Sequence, residues 1–205
     1  MIVITTQCFS PKIGGIESLM TGMADAMSEV GKDVLVLADG RNTTDDKNKK
    51  YKIKRFSGWK PYRRRRKAIY LKKFIENNNV EAIYADSWKS IEYLKDVNIK
   101  IIVLAHGTEI PKKYFDSFYA YLNIKKRRII KSYANCHKIA ANSAYTRDLM
   151  IASLKINSDK IKIIHPGIDI YEDFISDEDR LNVKKIIGDS SPIITTLARV
   201  EKRKG

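Results

Sequence analysis

The sequence contains few cysteines, few histidines and no long apolar run. Its two cysteines, Cys8 and Cys136, match no metal-binding or redox spacing, so we expect reduced thiols and a cytoplasmic protein. The three histidines are widely separated and predict no metal site. No apolar stretch is long enough to span a bilayer, and the first residues lack the basic region and cleavage site of a signal peptide. Disulfide-rich, zinc-binding and membrane-spanning classes are therefore disfavoured.

Acidic side chains are missing from residues 47–73, and the whole chain has a formal net charge of +15. This surplus indicates an anionic partner: a membrane, a nucleic acid or a phosphorylated substrate. The basic and aromatic residues predict an amphipathic helix with a cationic outer face, typical of membrane-surface helices, although a solvated basic face explains the same pattern. The predicted membrane or anion patch consists of Trp59, Tyr62, Arg63, Arg64, Arg65, Arg66 and Lys67.

A strand, a glycine loop and a helix open the chain. Residues 1–6 form an apolar strand, and the apolar residues from Ile16 to Met27 have helical spacing, with Gly31 as the predicted C-cap. Between them, Gly14 and Gly15 let a ligand approach the main chain without a Cβ in the way. The unpaired amides of the helix N-terminus suit a phosphate or another anion. A tight turn without a ligand is the alternative interpretation.

Apolar strands and helices alternate along the rest of the chain without hairpin signals. This pattern predicts an α/β protein with a Rossmann-like, doubly wound, mostly parallel sheet and helices on both faces. Asp86, His106 and Asn142 each follow a strand, at the edge where such sheets bind ligands. Residues 39–50 are predicted to form a mobile loop. Later strands are predicted at 33–38, 51–56, 81–85, 100–105, 138–141, 161–164 and 192–198, and later helices at 89–96, 112–134, 143–154 and within 171–188.

Six segments carry a family resemblance. They are Phe-x-Pro-x-x-Gly-Gly-x-Glu at 9–17, Gly-Lys-Asp-Val at 31–34, His-Gly-Thr-Glu at 106–109, Asn-Ser-x-Tyr-Thr-Arg at 142–147, Pro-Gly-Ile-Asp at 166–169 and Ala-Arg-Val-Glu-Lys-Arg-Lys-Gly at 198–205. Their order and spacing resemble the N-terminal half of a GT-B fold glycosyltransferase of the family-4 type, which transfers sugars with retention. Ala198 departs from the glycine that is usual in the family.

The resemblance implies roles for individual residues. His106 is expected in the cleft near the transferred sugar, and Arg199 and Lys204 are expected to neutralise the donor diphosphate, so these three are the implied catalytic residues. Two fixed cations stabilise a leaving group whose charge grows as the sugar–oxygen bond breaks. The implied donor- or acceptor-binding residues are Gly14, Gly15, Glu17, Glu109, Asn142 and Tyr145.

The resemblance also implies a domain plan. Residues 1–190 are expected to form the acceptor-side domain, and residues 191–205 a linker and first strand of a C-terminal nucleotide-sugar-binding domain that is otherwise absent. The implied donor is a nucleotide-diphosphate sugar, used without a cofactor or metal, and the implied acceptor is a lipid-linked or cell-surface glycan precursor. The expected location is the cytoplasm, peripheral to the inner face of the membrane. We expect the chain alone to be inactive.

Two other classes compete with this interpretation. A nucleic-acid-binding α/β protein would use the basic segment 47–73, but the sequence contains no helix-turn-helix, zinc or aromatic stacking motif, so no nucleic acid is expected. A dinucleotide-binding oxidoreductase shares the opening strand, loop and helix. Its Gly-x-Gly-x-x-Gly is missing, and Pro11 and Lys12 stand where a short turn is needed.

Overall fold

The computed structural model of the chain describes residues 1–110, 124–167 and 176–188. The chain divides into two compact units, residues 1–167 and residues 168–205. In the second unit the described residues form one helix, Asp177–Ile187, whose N-cap Ser176 accepts a hydrogen bond from the Asp179 amide. This helix lies within the segment where one was predicted.

Seven strands of the first unit form one sheet in which every neighbouring pair is parallel. The strand order is β3-β2-β1-β4-β5-β6-β7, so β1 and β4 are neighbours at the centre. The strands are β1 (Ile2–Thr6), β2 (Val34–Asp39), β3 (Lys52–Phe56), β4 (Ala82–Ala85), β5 (Lys100–Ala105), β6 (Lys138–Ala141) and β7 (Ile161–Ile163). The predicted Rossmann-like parallel sheet is confirmed.

Helices connect the strands, as parallel pairing requires. They are α1 (Gly15–Glu29), α2 (Lys60–Asn77), α3 (Trp88–Ile91), α4 (Ile124–Ala134), α5 (Ala144–Leu154) and, in the second unit, α6 (Asp177–Ile187). Short 3-10 helices lie at Thr44–Asn48 and Ser158–Lys160. Helix α1 has Val30 as its C-cap rather than the predicted Gly31, which follows with φ 78°.

The strands bury both faces because successive side chains point to opposite sides of a sheet. On one face Val3, Leu37 and Ile83 belong to a cluster completed by α2, α3, α4 and α5. On the other face Ile2 and Ile4 pack with residues of α1. Strands that are apolar at consecutive positions are typical of a parallel sheet covered on both sides, and helices on both faces are likewise confirmed.

The segment at 39–50 differs from the predicted mobile loop. It contains the 3-10 helix Thr44–Asn48, and Thr43 and Asp46 cap each other reciprocally. Asp46 also forms an ion pair with Arg55, whose side chain is 3% exposed. Charged residues that favoured a loop prediction are therefore paired with neighbouring elements, Asp46 with Arg55 of β3 and Lys49 with Asp25 of α1.

One helix prediction needs correction, and another is described only in part. The helix predicted at 89–96 is a single turn, Trp88–Ile91. The chain continues in turns and irregular structure, and Leu94 is buried there without being part of a helix. The helix predicted at 112–134 is described from Ile124 onwards, and its earlier part lies outside the described residues. The predicted strand at 192–198 also lies outside them.

The basic helix α2 differs most from the prediction of a cationic outer face. Lys67 is 1% exposed and lies in the core. Its Nζ donates to Asp39 Oδ1 at 2.8 Å and to the Thr6 carbonyl at 2.7 Å. Arg63 forms an ion pair with the same carboxylate, and Arg64 pairs with Glu92. These three members of the predicted patch are therefore turned toward protein carboxylates rather than outward.

Candidate active site

The candidate site lies at the carboxyl edge of the sheet, where the chain leaves β1 toward α1 and leaves β4 toward α3. Helix α1 packs on one face, and α3 packs on the other. In doubly wound sheets this change of side between neighbouring strands opens a crevice for ligands. The residues that follow β1, β4, β5 and β6 come together at this edge through the parallel register of the sheet.

Internal contacts hold the loop that follows β1. The Thr6 hydroxyl accepts a hydrogen bond from the Cys8 amide at 2.9 Å, and Phe9 is buried. Arg55 Nη2 donates to the Ser10 carbonyl at 2.5 Å, and the Ser10 amide donates to the Thr21 hydroxyl of α1. The loop is therefore tied to both β3 and α1 before it reaches its exposed tip.

The two glycines of the loop have different surroundings. Gly14 is the N-cap of α1 in an extended conformation, and a Cβ there would collide with the Glu17 carboxylate. Gly15 is exposed, and a Cβ there would meet nothing within 4 Å. The first bond of the helix runs from the Ser18 amide to the Gly14 carbonyl, so the amides before Ser18 have no partner within the helix. Gly15 is therefore the open approach to the helix N-terminus.

Glu17 occupies part of this N-terminus itself. Its carboxylate lies over Gly14 and interacts with the thiol of Cys8. Burial, followed by the negative charges of Asp86 and Glu17, raises the pKa of Cys8 to about 12. Because only the thiolate is a good nucleophile, Cys8 is a structural thiol at neutral pH.

His106 follows β5 and is held by main-chain contacts. Its Nε2 lies 2.9 Å from the Asp86 carbonyl, and its backbone amide donates to Glu109 Oε1 at 3.0 Å. A carbonyl can only accept a hydrogen bond, so Nε2 carries the hydrogen, and Nδ1 is the acceptor of the neutral ring. Gly107 has φ 84°, which turns the chain sharply behind the histidine.

Glu109 closes this turn and extends toward α4. It accepts the His106 amide, and its charge acts on the buried phenol of Tyr133. Burial first, and then Glu109, raises the pKa of Tyr133 well above its ordinary value. Glu109 therefore has a positioning contact within the protein in addition to its implied role in ligand binding.

Asn142 follows β6 and lies beside His106. Its side-chain amide nitrogen is 3.5 Å from the His106 carbonyl, and its Oδ1 accepts a hydrogen bond from the Thr146 hydroxyl at 2.6 Å. Ser143 caps α5 by accepting the Thr146 amide, at the start of the helix predicted at 143–154. Tyr145 is 64% exposed in the first turn of the same helix. The structure thus brings His106, Glu109 and Asn142 together.

The remaining predicted site residues fall outside this cluster or outside the described residues. Arg199 and Lys204 belong to the latter group. Of the predicted patch, Trp59, Tyr62, Arg65 and Arg66 are exposed, and we call these four residues the outer stripe. The Arg66 guanidinium lies 5.7 Å from the Tyr62 ring centroid.

Sequence reasoning missed the buried charges beneath the site. Asp39 ends β2 and Asp86 follows β4, but only their position at the end of an apolar strand hinted at a role. Asp39 holds Lys67 and Arg63, and Asp86 accepts hydrogen bonds from the loop after β1. No sequence pattern shows which cation a carboxylate will meet across the fold.

Residues 1–110, 124–167 and 176–188 contain no group of three or more histidine, cysteine or acidic side chains placed to hold a metal ion. None of their helices combines the length and the apolar character needed to cross a membrane.

The seven-stranded parallel sheet has the Rossmann-like fold of one half of the GT-B architecture. The model of Glycosyltransferase Family 4 matches residues 13–172, and the chain belongs to that family. No curated protein matches the sequence.

Several solved structures share the fold at low sequence identity. HepE from Anabaena, solved in complex with UDP, is 16% identical with a TM-score of 0.61, and the match covers 91% of this chain and 50% of that one. A glycosyltransferase from Rickettsia africae is 15% identical with a TM-score of 0.59, covering 90% and 48% of the two chains. The chain therefore spans about half the length of these structures.

The same fold also occurs in an enzyme of another class. A UDP-GlcNAc 2-epimerase from Methanocaldococcus jannaschii is 11% identical with a TM-score of 0.55, and the match covers 80% of this chain and 45% of that chain. Fold likeness alone thus does not separate transferases from epimerases. The family match is the finding that does.

Proposed function

We propose that the whole protein transfers a hexosyl group from a nucleotide-diphosphate sugar to an acceptor with retention, and that this chain supplies the acceptor side. The observation that carries the proposal is the contact of His106 with Asn142 and with the Asp86 carbonyl at the carboxyl edge of the sheet, where the Asp86 carboxylate also binds the first residue of the loop after β1. Membership of Glycosyltransferase Family 4 supports the reaction class. The solved complexes of HepE with UDP and with UDP-glucose support a nucleotide-sugar donor.

The proposed donor approaches the N-terminus of α1 from the side of Gly15. That side is open, whereas Glu17 covers Gly14, and a second anion on the Glu17 side would be repelled. Backbone amides and the helix dipole favour a phosphate at such a terminus. His106 is proposed to hydrogen-bond the sugar, and Arg199 and Lys204 to neutralise the departing diphosphate. We propose no metal for this reaction, and turnover in EDTA tests that point.

The test is transfer by the whole protein from a panel of uridine, guanosine and adenosine diphosphate sugars. Arg199→Ala and Lys204→Ala are each expected to lower kcat by about two orders of magnitude or more, since each removes a fixed charge from the leaving group. Lys100→Ala, an exposed cation at the start of β5, is the matched control and is expected to retain full activity.

Two further measurements test the stereochemistry of transfer and whether this chain is active without a second domain. Product anomers read by NMR immediately after transfer test retention. The 205-residue chain alone is expected to be inactive, because we propose that a second domain holds most of the donor. If the wild-type whole protein hydrolyses or transfers none of the donors, the proposed reaction is wrong.

We also propose that the acceptor is lipid-linked, a precursor of a cell-surface glycan, and that the outer stripe docks the protein on the anionic cytoplasmic leaflet. The stripe combines two exposed aromatic residues with two exposed arginines from the N-cap and first turns of α2, and the Arg65 guanidinium lies 5.4 Å from the Tyr93 ring centroid. Each cation near an anionic surface contributes about 1 kcal/mol. The inward orientation of Arg63, Arg64 and Lys67 leaves fewer charges for this contact than the sequence indicated.

Liposome sedimentation tests the membrane proposal. Arg65→Glu/Arg66→Glu is expected to weaken binding to vesicles containing phosphatidylglycerol by a factor of ~100 or more, from a charge change of four. Lys100→Glu/Lys162→Glu makes the same charge change on other elements and is expected to bind more tightly than the stripe variant. Equal loss in the two variants would show a net-charge effect without a docking surface.

A further inference from the structure

Asp86 is a buried carboxylate that accepts hydrogen bonds at both oxygens. It follows β4 and is 2% exposed. Its Oδ2 accepts the Gln7 amide at 2.7 Å and lies 3.1 Å from the Thr6 hydroxyl. Its Oδ1 accepts the Ser90 hydroxyl at 2.6 Å and lies 3.3 Å from the Ser87 hydroxyl. These donors come from the end of β1 and from α3 with its N-cap, so the carboxylate joins two elements at the edge of the sheet.

The stability of the fold alone does not explain why a carboxylate is buried at position 86. A carboxylate loses much of its hydration when buried, and no cation among the described residues forms an ion pair with Asp86. Its partners are neutral N–H and O–H groups, which offset that loss without the attraction of an opposite charge. An apolar side chain would avoid the loss, but it would leave the Gln7 amide without its acceptor. The carboxylate therefore fixes the direction of the loop as it leaves β1.

The main chain of the same residue holds the histidine. The Asp86 carbonyl accepts the hydrogen of His106 Nε2 at 2.9 Å. This contact sets the ring plane and the tautomer, and leaves Nδ1 as the acceptor of the neutral ring. One residue thus contacts the glycine loop through its side chain and the histidine through its backbone.

We propose that Asp86 is a positioning residue that couples the orientation of the glycine loop to that of His106. The inference deepens the proposed function, because the two groups it aligns are the ones we assign to the donor. Asp86 acts through hydrogen bonds, so its geometry matters more than its charge. The mechanism predicts that loop and ring respond together when the carboxylate is changed.

The amide of asparagine allows this to be tested. In Asp86→Asn the side-chain oxygen can still accept the Gln7 amide, while the NH₂ group donates to the Ser90 and Ser87 hydroxyls, which can act as acceptors. In Asp86→Ala all of these bonds are lost. Ser90→Ala removes the 2.6 Å bond at Oδ1 and leaves the loop residues unchanged.

The first measurement uses NMR on the ¹⁵N-labelled 205-residue chain without ligand. We expect Gln7 amide exchange in Asp86→Ala to accelerate ~10–100-fold relative to the Val103 amide of β5, since a charge-assisted hydrogen bond is lost. Ring ¹⁵N shifts are expected to change from a single His106 Nε2–H tautomer to a mixture. Asp86→Asn is expected to restore both signals, and Ser90→Ala to shift both in the same direction by less.

Leu154→Ala is the control for general destabilisation. Leu154, the last residue of α5, is buried in the hydrophobic core and forms none of these hydrogen bonds. It is expected to lower the unfolding temperature without changing either signal. If Asp86→Ala behaves like Leu154→Ala, Asp86 only stabilises the fold and the inference is overturned. If Asp86→Ala does not fold, Ser90→Ala decides: unchanged Gln7 and His106 signals overturn the inference.

Activity of the whole protein separates this inference from the proposed function. Where wild type turns over a donor, Asp86→Ala is expected to lower kcat at least tenfold, with recovery in Asp86→Asn. An active wild type with unaffected Asp86→Ala would overturn the inference and leave the proposed function intact. A wild type inactive on all donors would overturn the proposed function, while the NMR signals of the ligand-free chain would still decide the coupling.

Discussion

Replacement of Lys67 by methionine tests the largest difference between the predicted and the observed basic helix. Lys67 lies in the middle of α2 and is 1% exposed. Its ammonium group joins the Asp39 carboxylate, which ends β2, to the Thr6 carbonyl, which ends β1. Methionine has a similar length and an apolar end, so Lys67→Met removes the charge without opening a large cavity.

The expected loss follows from the contacts. Removing one partner of a buried ion pair costs about 3–5 kcal/mol. Arg63 remains 2.7 Å from Asp39 and still neutralises it, so we place Lys67→Met near the lower end, at about 3 kcal/mol. Asp39→Asn leaves both Lys67 and Arg63 beside a neutral amide, so we place its loss near the upper end, at about 5 kcal/mol.

Urea unfolding followed by circular dichroism measures these changes through the free energy extrapolated to water. Lys73→Met is the matched control, because Lys73 is exposed on the same helix, and it is expected to change stability by less than about 0.5 kcal/mol. The order of loss should be Asp39→Asn, then Lys67→Met, then Lys73→Met. Equal stability of the Lys67→Met and Lys73→Met proteins would refute the buried pair.

Three further changes have expected outcomes. Gly107→Ala should lower the unfolding temperature by several degrees, because φ is 84° and the new Cβ would lie 2.8 Å from Thr146 Oγ1. Gly22→Ala should stabilise the exposed interior of α1 by about 0.5–1 kcal/mol in urea unfolding, since a Cβ there meets nothing within 4 Å. The hydrogen bond from Arg55 lowers the pKa of Asp46 from its ordinary 3.8, so the resulting stability is complete above that value and is lost as the pH falls through the folded pKa. Asp46→Asn should therefore weaken the loss of stability in acid, measured by thermal unfolding at stepwise lower pH.

Local sequence was sufficient for the sheet and for part of the site. Residues 100–105 and 138–141 were predicted as strands, and they have those bounds in the structure. His106 and Asn142 were placed after strands, and parallel pairing then brings strand ends to one edge. Their place at one edge of the sheet therefore followed from the sequence, whereas the 3.5 Å contact between the Asn142 side-chain nitrogen and the His106 carbonyl is seen only in the structure.

The orientation of the charges in the basic segment could not be predicted from the local sequence. The run Arg63 to Lys67 reads as a uniform cationic surface, because composition carries no information about which side of a helix meets a carboxylate. Periodicity alone places Lys67 with the inward residues Leu71 and Phe74, but a lysine is almost never fully buried unless it is paired. Its partner Asp39 lies 28 residues earlier in the chain.

The alternation of strands and helices, and the glycine and polar groups at the ends of strands, could be predicted from the sequence because they depend on hydrophobic period and backbone freedom within a few residues. Which charges are buried depends on tertiary packing. Asp86 meets Gln7 across 79 residues of chain, and Arg64 meets Glu92 across 28. Such pairs form because packing of the sheet and its helices brings distant groups to one place, where loss of hydration makes a partner necessary.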